Sequence, residues 1–97
     1  MTSYEVADNK SKKRFEIHDA DQVAYLEYMP AGQNIVISHT EVPFELEGKG
    51  IGSFLVKHTL ETLKANHQKA IITCPFAIAY IQRHPEYLDV VFGYPKK

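Results

Sequence analysis

Three glycines at alternate positions, Gly48, Gly50 and Gly52, stand in the stretch His39-Thr-Glu-Val-Pro-Phe-Glu-Leu-Glu-Gly-Lys-Gly-Ile-Gly-Ser53. Each costs about 1 kcal/mol against alanine inside a helix, so three at a helix start call for a backbone that comes very close to something. Free N–H groups there, with no Cβ in the way and the positive end of the helix dipole behind them, make a site for phosphate. A strand-to-helix turn that is merely flexible is the plainer alternative. Upstream, His39 and Glu41 lie two apart and so project from one face of an extended segment, where either side chain can serve as a base. Downstream, Cys74 is the chain's one thiol. Two familiar phosphate motifs are excluded. The third glycine falls one residue early for a dinucleotide fingerprint, and no Gly-Lys-Ser/Thr has the spacing of a nucleoside triphosphate loop.

These residues need elements to hold them. Tyr4 to Ala7 and Arg14 to His18, the latter with Phe15 and Ile17 alternating against polar neighbours, read as a hairpin whose turn carries Lys10, Lys12, Lys13 and Arg14. Gln22 to Met29 reads as a further strand, closed by a reversal at Met29-Pro-Ala-Gly-Gln33, and Asn34 to Val42 as the next. The helix after the glycines spans Lys49 to Asn66, with Ile51, Leu55, Val56, Thr59, Leu60 and Leu63 on one half and Ser53, Lys57, Glu61 and Lys64 on the other. Ala70 to Cys74 is short and β-branched, as in a strand buried on both faces and parallel to the Asn34 strand through a right-handed crossover. Pro75 opens a second helix, Phe76 to His84, with Phe76, Ile78, Tyr80 and Ile81 as its packed side, and Pro85 stops it. In the tail Glu86 to Lys97, Val90 to Phe92 either forms a last short strand or packs back. The expected fold is α+β over residues 1–97 as one domain: a mostly antiparallel sheet, one β-α-β crossover and two main helices.

The 44% hydrophobic and 24% charged composition and formal charge of −1 fit a soluble globular protein and argue against nucleic acid as a partner. No apolar run approaches the roughly 20 residues of a membrane span, and Met1 to Val6 lack a secretory pattern, so a cytoplasmic location is expected. His18, His58 and His67 show neither helical pairing nor a Cys/His cluster, and no metal site is expected.

Taken in order, the His39-Thr-Glu-Val-Pro43 strand end, Gly48-Lys-Gly-Ile-Gly52, Thr73-Cys-Pro75 and Arg83-His-Pro-Glu-Tyr87 resemble the small YjdJ-like branch of the GNAT N-acetyltransferases, over about Phe15 to Val91. The resemblance implies a compact GNAT-like fold and acetyl-coenzyme A as co-substrate. The superfamily's Gln/Arg-x-x-Gly-x-Gly/Ala pattern wraps the pyrophosphate, and the matching positions here are Glu45, Gly48 and Gly50. Glu45 departs from it, placing a carboxylate where a neutral or cationic side chain is usual, whereas the backbone cradle depends only on glycine. The implied cofactor-binding set is Glu41, Val42, Gly48, Lys49, Gly50, Ile51, Gly52, Ser53 and Arg83, with the strand edge at Glu41 and Val42 pairing with the pantetheine arm. Larger members enclose the acceptor with a further hairpin, so the acceptor side here is expected to be open.

Acetyl transfer to an amine requires a base, an oxyanion donor and a proton for the leaving thiolate. The candidate catalytic residues are Cys74, His39 and Glu41. Cys74 either takes the acetyl group first or is a buried, inert thiol, and His39 would lower its pKa if the two meet. Tyr80 is either a proton donor to the coenzyme thiolate or a core tyrosine. Arg83, His84 and Lys49 either line the cofactor or are ordinary exposed charges. The expected partners are acetyl-CoA and an unidentified amine, small or protein-borne, with the chain a monomer or weak dimer. The competing function is a non-catalytic acyl-CoA-binding or protein-interaction module.

Overall fold

The fold is seen in a computed structural model that describes residues 4–93. Residues 94–97 of the tail and the first three residues of the N-terminal stretch lie outside the described ones. Five strands, β1 (Ala7–Asn9), β2 (Arg14–Asp19), β3 (Gln22–Ala31), β4 (Asn34–Glu41) and β5 (Ala70–Ile72), form one sheet in sequence order. The first four pair antiparallel, and β5 runs parallel to β4. The helices are α1 (Ile51–Ala65) and α2 (Pro75–Arg83), with 3-10 turns at Phe44–Leu46 and Pro85–Val90. The α+β, mostly antiparallel architecture with two helices is therefore the one expected.

Several boundaries differ for physical reasons. The first strand is Ala7–Asn9 rather than Tyr4 to Ala7, because Tyr4 leaves the sheet: its hydroxyl donates to the Lys49 carbonyl at 3.0 Å and its ring meets Phe54 edge-on. The β3–β4 reversal tightens to Gly32 and Gln33, Gly32 taking the left-handed backbone that a two-residue hairpin requires. That lets Pro30 stay in the ladder opposite Ile35. Val90 ends the 3-10 turn buried in the core, and Val91 makes a single parallel bridge to Ala70 rather than a strand.

The apolar half of α1 is buried as its periodicity requires, all six of its expected core residues included. It covers Phe15, Ile17, Ala24, Leu26, Ile35 and Ile37 on one face of the sheet. In α2 the packed side is Ala77, Tyr80 and Ile81, whereas Phe76 and Ile78 are exposed. The packed stripe follows the i, i+3, i+4 spacing from Ala77, which turns Phe76 out of the core. The opposite sheet face carries Arg14, Glu16, Tyr25, His39 and Glu41. There Glu16, 7% exposed, accepts hydrogen bonds from Arg14 and Asn9 and pairs with His18. These partners, Arg14 first, hold its carboxyl down at about 2, and the Arg14 guanidinium lies 4.2 Å from the Tyr25 ring centre.

One irregularity decides which side chains reach the site. Glu27 pairs with His39 but Tyr28 pairs with Ile37, so Ser38 is an extra residue in β4. Such a bulge shifts the alternation by one. Ile35 and Ile37 point to the core before it; after it Thr40, opposite the buried Leu26, takes the core side and His39 and Glu41 the open side.

Candidate functional site

Strands β4 and β5 part company at the bulge. Their last shared bonds run from Thr73 N–H to the Ile37 carbonyl at 3.0 Å and from the Thr73 hydroxyl to the same oxygen at 3.3 Å. Beyond them Cys74 and Pro75 turn the chain into α2 while β4 continues to Glu41. The gap opens onto a groove of about 490 Å³ between the end of β4 and the start of α1, lined by Thr40, Glu41, Val42, Leu46, Glu47, Gly48, Gly50, Ile51, Gly52, Ser53 and Phe76. A second depression of about 520 Å³ shares Gly50 and Ser53 with it and adds Lys57, Tyr80, Arg83 and His84.

The glycines act by two different means. Gly48 and Gly50 have φ of +84° and +75°, with open space where a Cβ would stand, so they are needed for a left-handed path into α1. Gly50 is the N-cap of α1, and among the described residues no side chain caps that end and no acid lies in its first turn. The N–H groups of the first turn are thus left for an anion at the positive end of the dipole. Gly52 is different: it is buried against α2, and a Cβ on it would come within 2.8 Å of Phe76 Cζ. The close approach expected at this position is to an aromatic ring.

Of the expected cofactor set, Glu41, Val42, Gly48, Gly50, Ile51, Gly52 and Ser53 line the groove. Ile51 does so from a side chain almost wholly in the core. Arg83 sits in the adjoining depression with Lys57. Lys49 lines neither depression, and its ammonium pairs with Asp19 at 3.4 Å. Glu45, in the 3-10 turn, is exposed and absent from the lining, where Glu47 stands instead.

The candidate catalytic residues fall into two groups that do not meet. Cys74, 3% exposed, lies with its Sγ 3.4 Å from Thr40 Oγ1. His39 Nε2 is 3.0 Å from Glu41 Oε1, both half-exposed on the other face of β4. The thiol therefore has a hydroxyl neighbour, and the imidazole has a carboxylate. Tyr80 is buried and stacks on His84 with ring centres 4.2 Å apart; burial, then Glu86 and Glu61, raise its hydroxyl pKa. Tyr87 nearby donates to Glu61, and burial pushes its hydroxyl upward too.

Thr40 and Phe76 line the groove and Lys57 the adjoining depression, positions that composition and spacing did not reveal. Lys57 carried a signal, since it follows Ser53 by four on the exposed face of α1. Thr40 carried none, because the bulge that turns it inward leaves no mark in the residue pattern. Among the described residues, no group of three or more His, Cys, Asp and Glu is placed to hold a metal, and no helix is long and apolar enough to cross a membrane.

An uncapped helix start entered through two left-handed glycines stands beside a strand edge freed by parting strands. The chain belongs to the GCN5-related N-acetyl-transferase family, whose sequence model matches residues 14–90. Members of this family use acetyl-CoA. Protein NATD1 of Mus musculus is 32% identical over 92 residues, spanning 87% of this chain and 81% of its own length. Protein NATD1 of Gallus gallus is 31% identical over 93 residues, spanning 88% and 82%. The NMR solution structure of a GCN5-like protein from Staphylococcus aureus matches with a TM-score of 0.73 and 31% identity, over 98% of this chain and 94% of that one.

Proposed function

We propose that the protein transfers an acetyl group from acetyl-CoA to an amine, as an acetyltransferase within the YjdJ-like branch of its family and with the whole chain forming one catalytic domain. The observation that carries this reading is the groove joining an uncapped helix start, entered through two left-handed glycines, to the open edge of β4. The residues fit the coenzyme. Gly48 to Ser53 would hold the pyrophosphate, Val42 and Leu46 would flank the pantetheine arm, and Lys57 and Arg83 would face the remaining phosphate charge. Bound acetyl-CoA supplies an activated thioester.

Glu41 lines the groove and is bonded to His39, which supports a reading in which this pair takes the proton that an attacking amine nitrogen loses. The amine nitrogen bonds to the acyl carbon and the coenzyme sulfur leaves as thiolate. Cys74 has Thr40 rather than His39 beside it, which favours direct attack over an acetyl-Cys74 intermediate. Calorimetric titration with acetyl-CoA tests the binding half, with saturable binding expected for the wild type and lost in Gly50→Glu. Absence of wild-type binding would overturn the reading. Thiol release across a panel of amines tests the chemistry. Binding without release from any amine would instead identify a non-catalytic acyl-CoA-binding module, and a stable acetyl group on Cys74 in intact-mass spectra would restore the covalent route.

A further inference from the structure

The turn that enters α1 is tied down from outside the groove, and one of the ties falls on its backbone. Tyr4, packed edge-on against Phe54 with ring centres 5.4 Å apart, donates its hydroxyl to the Lys49 carbonyl at 3.0 Å. That carbonyl belongs to the peptide unit joining Lys49 to Gly50, the N-cap of α1, and Gly48 and Gly50 on either side of Lys49 are both left-handed. Glycine takes both hands of backbone at similar energy, so the plane of this peptide can turn over, exchanging the directions of its C=O and N–H, unless something holds it. The Gly50 carbonyl is fixed already, since it accepts the Phe54 N–H at 2.9 Å. The Lys49 ammonium is held at Asp19, which restrains the side chain without setting the plane. The Tyr4 hydroxyl is the contact that acts on the plane itself.

We infer that Tyr4 is a positioning residue for the anion site at the start of α1: by holding the Lys49 carbonyl, its hydroxyl aims the Gly50 N–H into the groove. No peptide among the described residues is cis, and in a trans unit the C=O and N–H point opposite ways. Gly50 lines both the groove and the adjoining depression, whereas neither Lys49 nor Tyr4 lines either. The carbonyl is thus drawn to the side away from the groove and the N–H is left on the groove side, where no backbone acceptor among the described residues takes it. There it joins the N–H groups of the first turn, which the helix dipole makes attractive to a phosphate. This rests on the proposed binding of coenzyme A and adds what sets the direction of one of its donors. Tyr4 acts only through that peptide, from outside the groove.

The test pairs calorimetric binding of coenzyme A and dephospho-coenzyme A with amide NMR spectra, for the wild type and for Tyr4→Phe, which removes the hydroxyl and keeps the ring beside Phe54. Both ligands carry the pyrophosphate and differ only in the ribose phosphate. Tyr4→Phe is therefore expected to weaken both by the same factor, about threefold to tenfold, the worth of one hydrogen bond. In the ligand-free spectra the Gly50 amide signal is expected to move or broaden in Tyr4→Phe, while amides in the middle of α1, such as that of Leu60, stay in place. Unchanged affinity for both ligands in Tyr4→Phe, a loss for coenzyme A alone, or a loss with the Gly50 amide unmoved would overturn the inference and leave the acetyltransferase reading standing. A wild type that binds neither ligand would overturn that reading and the inference with it.

Discussion

Gly52→Ala opposes two effects of known size, and a second substitution separates them. Alanine in place of glycine near the start of a helix favours the fold by up to about 1 kcal/mol, through lower unfolded-state entropy and better helix propensity. Against this, the new methyl would stand 2.8 Å from Phe76 Cζ and 3.3 Å from Val42 Cγ2, distances that require something to move. Overpacking of that kind costs about 1–3 kcal/mol, so a net loss of about 1 kcal/mol is expected in the wild-type background. With Phe76→Ala the nearest atoms are gone and only the Val42 contact remains. The same Gly52→Ala change should then be neutral or stabilising, giving a coupling of about 2 kcal/mol, large for two residues unless they touch. Urea denaturation of the four proteins, followed by far-ultraviolet circular dichroism, reads the cycle directly. If Gly52→Ala stabilises the wild type, or its effect is the same in both backgrounds, Gly52 is not held to glycine by the Phe76 ring and the reasoning fails. Gly50→Ala is the control: its φ of +75° is strained for alanine and a Cβ there meets open space, so its penalty of about 1 kcal/mol should be independent of Phe76.

Three further outcomes are expected. Arg83→Ala should weaken coenzyme A binding by roughly threefold to tenfold at low ionic strength and by less in 0.5 M salt, since an exposed cation acts through a screened field; a salt-independent loss would indicate a structural role instead. Cys74→Ala should leave thiol release within about threefold of wild type and lower stability by about 1 kcal/mol through a small cavity beside Thr40, and loss of most activity would show that the thiol carries the acetyl group. Glu16 has its carboxyl lowered from 4.5 to about 2 by Arg14 and then His18, so its stabilisation is full above about pH 4.5 and is lost as the pH falls towards 2. The full shift would be about 3 kcal/mol, but water reaches the open sheet face and screens the pair, so Glu16→Gln should cost about 1 kcal/mol at neutral pH, shrinking to nothing near pH 2. A cost that stays constant across that range, in denaturation at successive pH values, would refute the assignment.

How much of this was legible depends on whether the signal is local. The apolar half of α1, the parallel strand after it and the turn at Gly32 were readable because periodicity, β-branching and a left-handed glycine act within a few residues, but that strand ends at Ile72 rather than Cys74 and, at the sheet edge, buries only Ala70 fully. The left-handed entry into α1 was readable for the same reason, since Gly48 and Gly50 are needed by their own backbone. Gly52 looked alike in sequence yet answers to Phe76, twenty-four residues away, and no local rule distinguishes the two cases. The turning of Lys49 to Asp19 is likewise a tertiary choice between two exposed partners.

The bulge at Ser38 is the deepest instance, because it changes the chemistry. Strict alternation from Ile35 places Ile37, His39 and Glu41 together on the core face, the side on which Cys74 lies. One extra residue sends His39 and Glu41 to the open face and brings Thr40 to the thiol. The His39–Glu41 pair and the thiol then belong to opposite sides of one strand, and Glu41 is the catalytic candidate that reaches both the open face and the groove. An amine arriving over the uncovered sheet meets the His39–Glu41 pair before it meets the groove. In the proposed reaction that order would suit deprotonation followed by direct attack, and it leaves Cys74 with a hydroxyl rather than an imidazole or carboxylate beside it.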